Sequence, residues 1–534
     1  MKKMLEKHGK VGVIGLGLNV LGLILLVVGA FLKTAEEVKF DPKIIVSILG
    51  LLSFVIGGMM YILTGEKEHR IAKLLGLILG AAFITTWVIP YGHFQGIDFY
   101  DYGMNRVGFA DLGSTIYYAI YFTIDKLIFL LAVAGFYGVL CKTSGYQKLV
   151  GSLAKKLKNH EIITAIIMSL FVVAMTSLFS QTLAVLIVVP FFVSILMNMK
   201  IDKLTTFAIT FGSMLVGILG ATYGTDALYF FNNYLKTDVT VALTYRAIIV
   251  FVAFFLYNFF ICMRLKKVLK EKVQNEELED VAFISAPTKA KTSIIPVTII
   301  LGLLLIIVVL GFVNWKSYFG IDVFDTFHKW LTELTIGEDF TVFAYLFGKN
   351  AVAFGSFDLL NISVILVLIS ALLAFLYRVK LTDYADAFYS GVKKMFKPIL
   401  YFITIYTIFA ICYTSPFMPT ISNFAFSLTE GLNPFIASIV AFVTSVFHAD
   451  LGYTAYTVGA FISSAYASNL SIVHTIFTSM YGLVQLIMPT SCVLLIGLSL
   501  MKIDYKSWFK YIWLFVIGMF IILLVLFTVV TYMK

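Results

Sequence analysis

The chain has 534 residues and a formal net charge of +10; 60% of its residues are hydrophobic and 13% are charged. Soluble domains carry about 25% charged residues, so this composition excludes an ordinary water-facing surface. Apolar runs of about 20 residues recur, each long enough to cross a hydrocarbon core of about 30 Å. The sequence therefore predicts an all-α polytopic membrane protein. Its four cysteines are far apart, which predicts neither a disulfide framework nor a zinc site.

The first half of the chain is predicted to contain six membrane spans. The N-terminal apolar run is too long for a signal peptide and is not followed by a small-residue cleavage site, so we interpret it as the first span. Loops rich in Lys and Arg mark the cytoplasmic side, which places the N-terminus inside. The predicted spans cover about 11–32, 44–64, 71–90, 115–140, 204–222 and 240–263.

Two apolar stretches between the fourth and fifth spans, within 162–198, are broken near TSLFSQT. Basic segments flank both ends, so a single crossing would place one of them outside the cell. A re-entrant hairpin keeps both segments in the cytoplasm, provided that its tip is buried in protein or lines a cavity. We therefore predict a first hairpin that enters from the cytoplasmic side.

A polar linker, 265–291, divides the chain in half. The region 434–467 is a second broken apolar pair, flanked by segments without Lys or Arg, which predicts a hairpin entering from outside. The total is eleven spans and two opposed hairpins, with an external C-terminus; no role is predicted for 314–355. The remaining spans are expected at about 292–313, 356–377, from after GVKKMFK to near Tyr413, 472–500 and 510–532.

The two halves align at a constant offset of 268 residues. TSLF at the first hairpin tip matches TSVF at the second, and Thr222 matches Thr490. Inverted repeats with interrupted helices are typical of secondary transporters. The predicted domains are scaffold helices in 1–110, a first repeat in 111–264, the linker in 265–291, further scaffold helices in 292–380 and an inverted second repeat in 381–534.

Four helix breaks are predicted to form one site: Ser177–Thr182, Gly217–Gly224, Thr444–Asp450 and Gln485–Ser491. Broken helix ends expose unpaired N–H and C=O groups, which must face a polar cavity. Helix N-termini favour carboxylates, and unwound carbonyls favour cations. The candidate substrate-binding residues are Ser177, Ser180, Gln181, Thr182, Thr222, Thr444, Ser445, His448, Asp450, Gln485, Thr490 and Ser491; the candidate break residues are Gly217, Gly220, Gly224 and Pro489. A Na⁺ ion near Ser180, Thr182, Asp450 and Thr490 is a further hypothesis.

Asp450 is the one charged side chain between Glu430 and Lys502. An intramembrane carboxylate is costly and normally marks a pathway or a proton relay. Three functional roles stay open: proton carrier, counter-charge for a substrate amine, or cation ligand. The structural alternative is a carboxylate hydrogen-bonded to hairpin amides. His448 is either a group that titrates near neutral pH or a packing histidine.

The segment from Gln485 reads QLIMPTSCVLLIGLSLMKIDYKSWFKYI. It resembles the signature of the anaerobic C4-dicarboxylate carriers and YfcC-type basic amino-acid carriers of the ion transporter superfamily. That signature is a Pro-Thr-Ser break, an apolar run and a K-I-x-Y-x-x-W-x-K tail. Two further stretches are similar to the family's first-hairpin return leg and second-repeat start: SQTLAVLIVVPFFVSILMNMKID and DAFYSGVKKM.

The resemblance implies an eleven-span fold with two hairpins, usually as a homodimer, in which a scaffold holds the dimer while a transport domain moves as an elevator. The segments Gly145–Lys158 and 414–432 would be the connecting arms. Carboxylate binding would fall to Ser180-Gln181-Thr182 and to Pro489-Thr490-Ser491. The first tip reads Ser-Gln-Thr, whereas the sodium-coupled dicarboxylate branch typically shows Ser-Asn-Thr.

The predicted function is secondary active transport of a small carboxylate-bearing solute, an amino acid or a dicarboxylate, across the bacterial plasma membrane. Coupling to Na⁺, coupling to H⁺ and exchange all stay open, and no cofactor or nucleic-acid partner is expected. An ion channel or uncoupled pathway is the alternative. An intramembrane enzyme is disfavoured because the chain has neither H-E-x-x-H nor G-x-S-x-G.

Overall fold

The computed structural model describes residues 2–33, 41–224, 226–271, 281–288, 290–337, 340–348, 350–448 and 450–532. Within these residues nine helices are long and apolar enough to cross a membrane, and one pair bent by 63° would make a tenth. The protein is therefore an integral membrane protein built from helices. The eleven predicted spans also include broken helices, so their exact number stays a prediction.

Helices α1 (Lys2–Phe31), α2 (Pro42–Thr64) and α3 (Arg70–Val88) cover the first three predicted spans. Asp41 caps α2 by accepting a hydrogen bond from the Lys43 nitrogen at 2.8 Å. A short antiparallel hairpin of β1 (Gly92–Gln95) and β2 (Asp98–Asp101) follows α3. These elements precede the region in which the candidate site lies.

The predicted fourth span is a bent pair, α4 (Leu112–Tyr121) and α5 (Ile124–Leu140), rather than one continuous helix. The Thr123 hydroxyl at the bend donates to the Ala119 carbonyl at 2.6 Å. Such a side-chain bond to the preceding turn competes with regular helical geometry. The span predicted at about 115–140 therefore contains a bend that the sequence did not indicate. The amphipathic helix α6 (Ser144–Leu157) then occupies the predicted first connecting segment.

The first broken region contains α7 (Glu161–Leu178), a 3₁₀ turn (Thr182–Ile187) and α8 (Val189–Asn198). The next span is one continuous run of α9 (Lys203–Phe207), a π turn (Ala208–Gly212) and α10 (Ser213–Leu219). Helix α11 (Asp226–Leu235) follows after an unwound segment that begins at Gly220. Helix α12 (Leu243–Glu271) extends into the predicted polar linker, because its basic residues are good helix formers.

The second half begins with α13 (Ile295–Phe312). The segment without a predicted role forms α14 (Trp315–Phe319), α15 (Val323–Glu333), the paired strands β3 (Thr335–Ile336) and β4 (Phe340–Thr341), and α16 (Val342–Phe347). Helix α17 (Leu359–Leu376) is the next span. A capping box fixes its start, because Asp358 and Asn361 each accept the other's backbone N–H.

Helix α18 (Leu381–Thr414) begins well before the basic GVKKMFK that was expected to precede it. That expectation was wrong because lysines can extend to water from a helix, so a basic segment need not be a loop. Helix α18 packs closely on α5: a Cβ atom at Gly138 would lie 2.9 Å from the Cα of Gly391. Small residues at such a contact let two membrane helices approach backbone to backbone.

The last region contains α19 (Met418–Phe426), α20 (Pro434–Phe447), α21 (Leu451–Ala465), a 3₁₀ turn (Ala467–Asn469), α22 (Leu470–Gln485), α23 (Cys492–Leu500) and α24 (Tyr505–Tyr532). The helices α10 and α22 are buried along almost their whole length. By contrast, α1, α13 and α17 leave many apolar side chains exposed, as helices that face lipid do. The core therefore lies around the two interrupted helices.

Candidate functional site

The first helix break is tied to the end of α7 by backbone hydrogen bonds. The Ser177 carbonyl accepts the N–H groups of Thr222, Tyr223 and Gly224 at 3.2, 3.2 and 2.9 Å. The Ser177 hydroxyl lies 2.8 Å from the Thr222 hydroxyl and donates to the Gly220 carbonyl at 3.2 Å. The unwound segment therefore satisfies a C-terminal carbonyl of α7 that has no partner within its own helix.

Gly217 lies inside α10 and is not part of the break. A Cβ atom at Gly217 would lie 2.6 Å from the Cβ of Thr176 on α7. The glycine is therefore needed for close packing of α7 on α10, and its assignment as a break residue was wrong. Gly220 and Gly224 do lie in the unwound segment that was predicted.

Arg246, on the first turn of α12, is a buried cation beside the first break that sequence reasoning missed. Its guanidinium donates to the Ala221 carbonyl at 3.1 Å and to the Val241 carbonyl at 3.0 Å, and it also bonds the Val239 carbonyl. Only 1% of Arg246 is exposed. An arginine just inside an apolar run was the available signal, but the Ala221 carbonyl, which ties it to the first break, lies 25 residues earlier in the chain.

The tip of the first hairpin has side chains that are open to a ligand. The Ser180 nitrogen donates to the Phe312 carbonyl at 2.9 Å, at the end of α13. The Phe179 and Phe312 rings stack beside it with centroids 5.9 Å apart. The side chains of Ser180, Gln181 and Thr182 are half-buried and make no hydrogen bond with any described residue. Two hydroxyls and one amide are therefore available at this tip.

The second helix break is tied to the second hairpin in a similar way. The Thr490 hydroxyl donates to the Val446 carbonyl at 2.7 Å, near the end of α20. The Ser491 hydroxyl caps α23 by accepting the Leu494 N–H at 3.4 Å. Pro489 lies in the unwound segment between α22 and α23, as predicted. Thr490 therefore joins this break to a hairpin leg, as Thr222 does at the first break.

Two aromatic residues of α24 bond the carbonyls that the second break leaves free. The Trp508 indole nitrogen donates to the Leu486 carbonyl at 2.8 Å, and the Tyr505 hydroxyl donates to the Ile487 carbonyl. These carbonyls have lost their helical partners because α22 ends at Gln485. The two parts of the C-terminal signature, the break and its aromatic tail, therefore form one structural unit.

At the second tip, most of the predicted polar residues already have partners. The Thr444 and Ser445 hydroxyls donate to the carbonyls of Val440 and Ala441 in their own helix, at 2.8 and 2.6 Å. These two hydroxyls therefore stabilise α20. Both hydroxyls bond carbonyls of their own helix, so their predicted role in binding stays a prediction.

His448 and Asp450 flank the turn of the second hairpin. His448 is fully buried, its Nδ1 lies 3.0 Å from the Thr454 hydroxyl, and its Nε2 has no hydrogen-bond partner among the described residues. Asp450 caps α21 by accepting the Gly452 N–H at 2.7 Å. The carboxylate therefore has the structural role that was considered for it, and this cap uses only one of its two oxygens.

The two interrupted helices cross close to their breaks. A Cβ atom at Gly482 of α22 would lie 2.6 Å from the backbone nitrogen of Leu219, the last residue of α10. Gln485, one turn further along α22, is buried, and its Nε2 has no partner among the described residues. The crossing therefore brings the first break beside the end of α22. The Gln485 amide nitrogen next to it has no protein partner among the described residues, so its predicted role in substrate binding stays a prediction.

A family model for the C4-dicarboxylate anaerobic carriers (DcuC) matches residues 69–532. The chain belongs to this carrier family. It is therefore a membrane transporter and not an enzyme. No curated protein matches the chain. Among solved structures, it is similar to the YdaH transporter of Alcanivorax borkumensis, with a TM-score of 0.42 and 11% identity over 85% of this chain and 98% of that one.

Lys126 is a cation on the first turn of α5 that sequence reasoning did not single out, and it lies 3.6 Å from Asp125. Helix α5 packs against α18, and α18 packs against α23, the helix that follows the second break.

Within the described residues, no group of three or more His, Cys, Asp and Glu side chains is placed to hold a metal ion. The Na⁺ hypothesis rests instead on hydroxyls, one carboxylate and unwound carbonyls. No hydrogen bond among these residues joins Ser180 or Thr182 to the second hairpin. The sodium site near Ser180, Thr182, Asp450 and Thr490 stays a prediction.

Proposed function

We propose that the chain is a secondary active transporter of C4-dicarboxylates that works by alternating access between two inverted repeats. The observation that carries this proposal is the equivalent bonding of two threonines, 268 residues apart. Thr222 donates to the Ser177 carbonyl at 3.2 Å, and Thr490 donates to the Val446 carbonyl at 2.7 Å. Each bond joins a broken helix to a hairpin leg, and such paired breaks form substrate sites in carriers with repeats.

The helix boundaries support the repeat. Shifted by 268 residues, α7 falls almost on α20, the continuous run from α9 through α10 falls almost on α22, and the 3₁₀ turn with α8 falls on α21. The amphipathic α6 falls on α19, which supports the assignment of both as connecting arms. In the proposed elevator, the hairpins would move against the scaffold helices of 1–110 and 292–380.

A dicarboxylate fits the charges of the site better than an amino acid. The buried Arg246 contributes a positive potential beside the first break. Cations and exposed peptide N–H groups both favour carboxylates. The name of the family, C4-dicarboxylate carriers, agrees with this assignment.

The test is uptake by the purified protein in proteoliposomes. Labelled C4-dicarboxylates and amino acids would be offered with and without gradients of Na⁺ and pH. We expect saturable C4-dicarboxylate uptake that is driven by one gradient or by internal dicarboxylate. Uptake of amino acids alone would replace the substrate assignment, and flux that does not saturate would favour the channel alternative. A homodimer in the plasma membrane, with a cytoplasmic N-terminus, is part of the same proposal.

A further inference from the structure

A cavity of about 420 Å³ lies where α3, α18, α23 and α24 meet. Arg70 forms its buried wall and is 4% exposed. The Arg70 guanidinium is paired with Asp504 and donates to the Gly65 carbonyl at 2.6 Å, while its Nε has no hydrogen-bond partner among the described residues. A buried cation therefore faces an open cavity at an end of the helix bundle.

The rim of the cavity is positively charged. Lys67, Lys397 and Lys502 line it together with Arg70, and the carboxylates that line it are Glu68 and Asp504. Four cations and two carboxylates leave a net charge of +2. The Lys397 ammonium lies 5.8 Å from the centre of the Tyr401 ring, which holds it over the cavity wall.

Backbone groups add to this positive potential. Helix α3 begins at Arg70, and no side chain caps its N-terminus, where His69 has a left-handed conformation (φ 54°). Free N–H groups at a helix N-terminus bind phosphate groups readily. The next residue of α3, Ile71, is one of those that line the cavity. The cavity thus combines a helix N-terminus, a buried arginine and three lysines from separate segments.

We propose that this cavity binds a phosphate-bearing anion, either the headgroup of an anionic phospholipid or free phosphate. Basic pockets between membrane helices on the cytoplasmic side bind such headgroups. Lysines placed only to orient the protein in the membrane need not converge on a cavity. Here three separate segments supply them: the α2–α3 loop, the middle of α18 and the α23–α24 turn.

An anion bound in the cavity would also stabilise the second helix break. Asp504 immediately precedes Tyr505, whose hydroxyl bonds the Ile487 carbonyl in that break. An anion held by Arg70 and the lysines would therefore stabilise the α23–α24 turn and, through it, the unwound segment. The binding site itself does not depend on the transported substrate, and its test measures binding without transport.

The experiment compares ligands added to the purified protein in detergent. The midpoint of thermal unfolding is measured with short-chain phosphatidylglycerol, with short-chain phosphatidylcholine and with inorganic phosphate. We expect phosphatidylglycerol to raise the midpoint by several degrees and phosphatidylcholine to leave it unchanged. If inorganic phosphate raises the midpoint comparably, free phosphate is a ligand. If phosphatidylglycerol raises the midpoint and inorganic phosphate does not, the ligand is the lipid headgroup. The absence of a rise with both anions would overturn the proposal.

Matched variants locate the site. Lys67→Gln/Lys397→Gln/Lys502→Gln removes three charges from the rim, and Lys155→Gln/Lys156→Gln/Lys158→Gln removes three exposed charges near the end of α6. We expect the rim variant to bind phosphatidylglycerol at least tenfold more weakly by native mass spectrometry, and the α6 variant to bind as the unmodified protein does. Replacement of the same rim lysines by arginine should restore binding. Equal weakening in the rim and α6 variants would assign the effect to overall charge and overturn the cavity assignment.

Discussion

The Ser177 and Thr222 hydroxyl oxygens lie 2.8 Å apart, and this contact joins the end of α7 to the unwound segment after α10. The Thr222 nitrogen also donates to the Ser177 hydroxyl at 3.0 Å. Two side chains, each from a predicted break, therefore hold the first hairpin and the first interrupted helix together. The geometry of one half of the site depends on this pair.

We expect Ser177→Ala to weaken substrate binding by about five- to tenfold, because one lost hydrogen bond corresponds to about 1 kcal/mol. The measurement is KM for C4-dicarboxylate uptake in proteoliposomes. Thr176→Val is the matched control, since the Thr176 hydroxyl bonds the Val172 carbonyl in its own helix at 2.8 Å. A KM for Ser177→Ala that equals the control value would remove Ser177 from the site.

The aromatic tail should contribute to stability through two specific bonds. Tyr505→Phe and Trp508→Phe each leave a carbonyl of the second break without its partner. We expect each change to lower the free energy of unfolding by about 1–3 kcal/mol, which is the cost of an unsatisfied buried polar group. Thermal unfolding followed by size-exclusion chromatography would measure this loss.

Tyr511→Phe provides the control for those variants. The Tyr511 hydroxyl is buried and has no hydrogen-bond partner among the described residues, so its removal should leave the unfolding midpoint nearly unchanged. If Tyr511→Phe destabilised the protein as much as Tyr505→Phe, the loss would reflect ring packing in general and not the bond to Ile487.

The crossing of α10 and α22 should not tolerate a side chain. Gly482→Ala would press a methyl group against the Leu219 backbone, and overpacking of this kind costs about 1–3 kcal/mol. Gly518→Ala is the control, because no atom lies within 4 Å of the added methyl group. We expect a lower unfolding midpoint for Gly482→Ala and an equal or higher one for Gly518→Ala. Equal midpoints for the two variants would contradict a backbone contact at the crossing.

Asp450→Asn separates the charge of this residue from its role as a cap. Asparagine caps helices about as well as aspartate does, so the fold should be retained. We expect uptake to fall at least tenfold, with an altered dependence on pH, because the intramembrane charge has been removed. Asp450→Ala should also lower the unfolding midpoint. If Asp450→Asn transports as the unmodified protein does, at every pH, Asp450 is a helix cap alone.

The helix breaks could be predicted from the sequence because local chemistry marks them. Gly220, Gly224 and Pro489 interrupt apolar runs, and these interruptions are visible in the sequence. The role of Arg246 could not be predicted, because its bond to the Ala221 carbonyl joins residues 25 apart in the chain. The bend at Thr123 was not predicted for a different reason, because no proline or glycine lies at that position.

The bonds from Tyr505 and Trp508 to the second break fix the length of the helix between them. The partners are 18 and 22 residues apart in the chain, and the nine-residue helix α23 lies in that interval. One inserted residue would turn everything beyond it by about 100°, since a helix has 3.6 residues per turn. Both rings would then miss their carbonyls. Insertions and deletions should therefore be excluded between Ser491 and Tyr505, whereas the segment around α15, which contains none of the predicted site residues, should tolerate them.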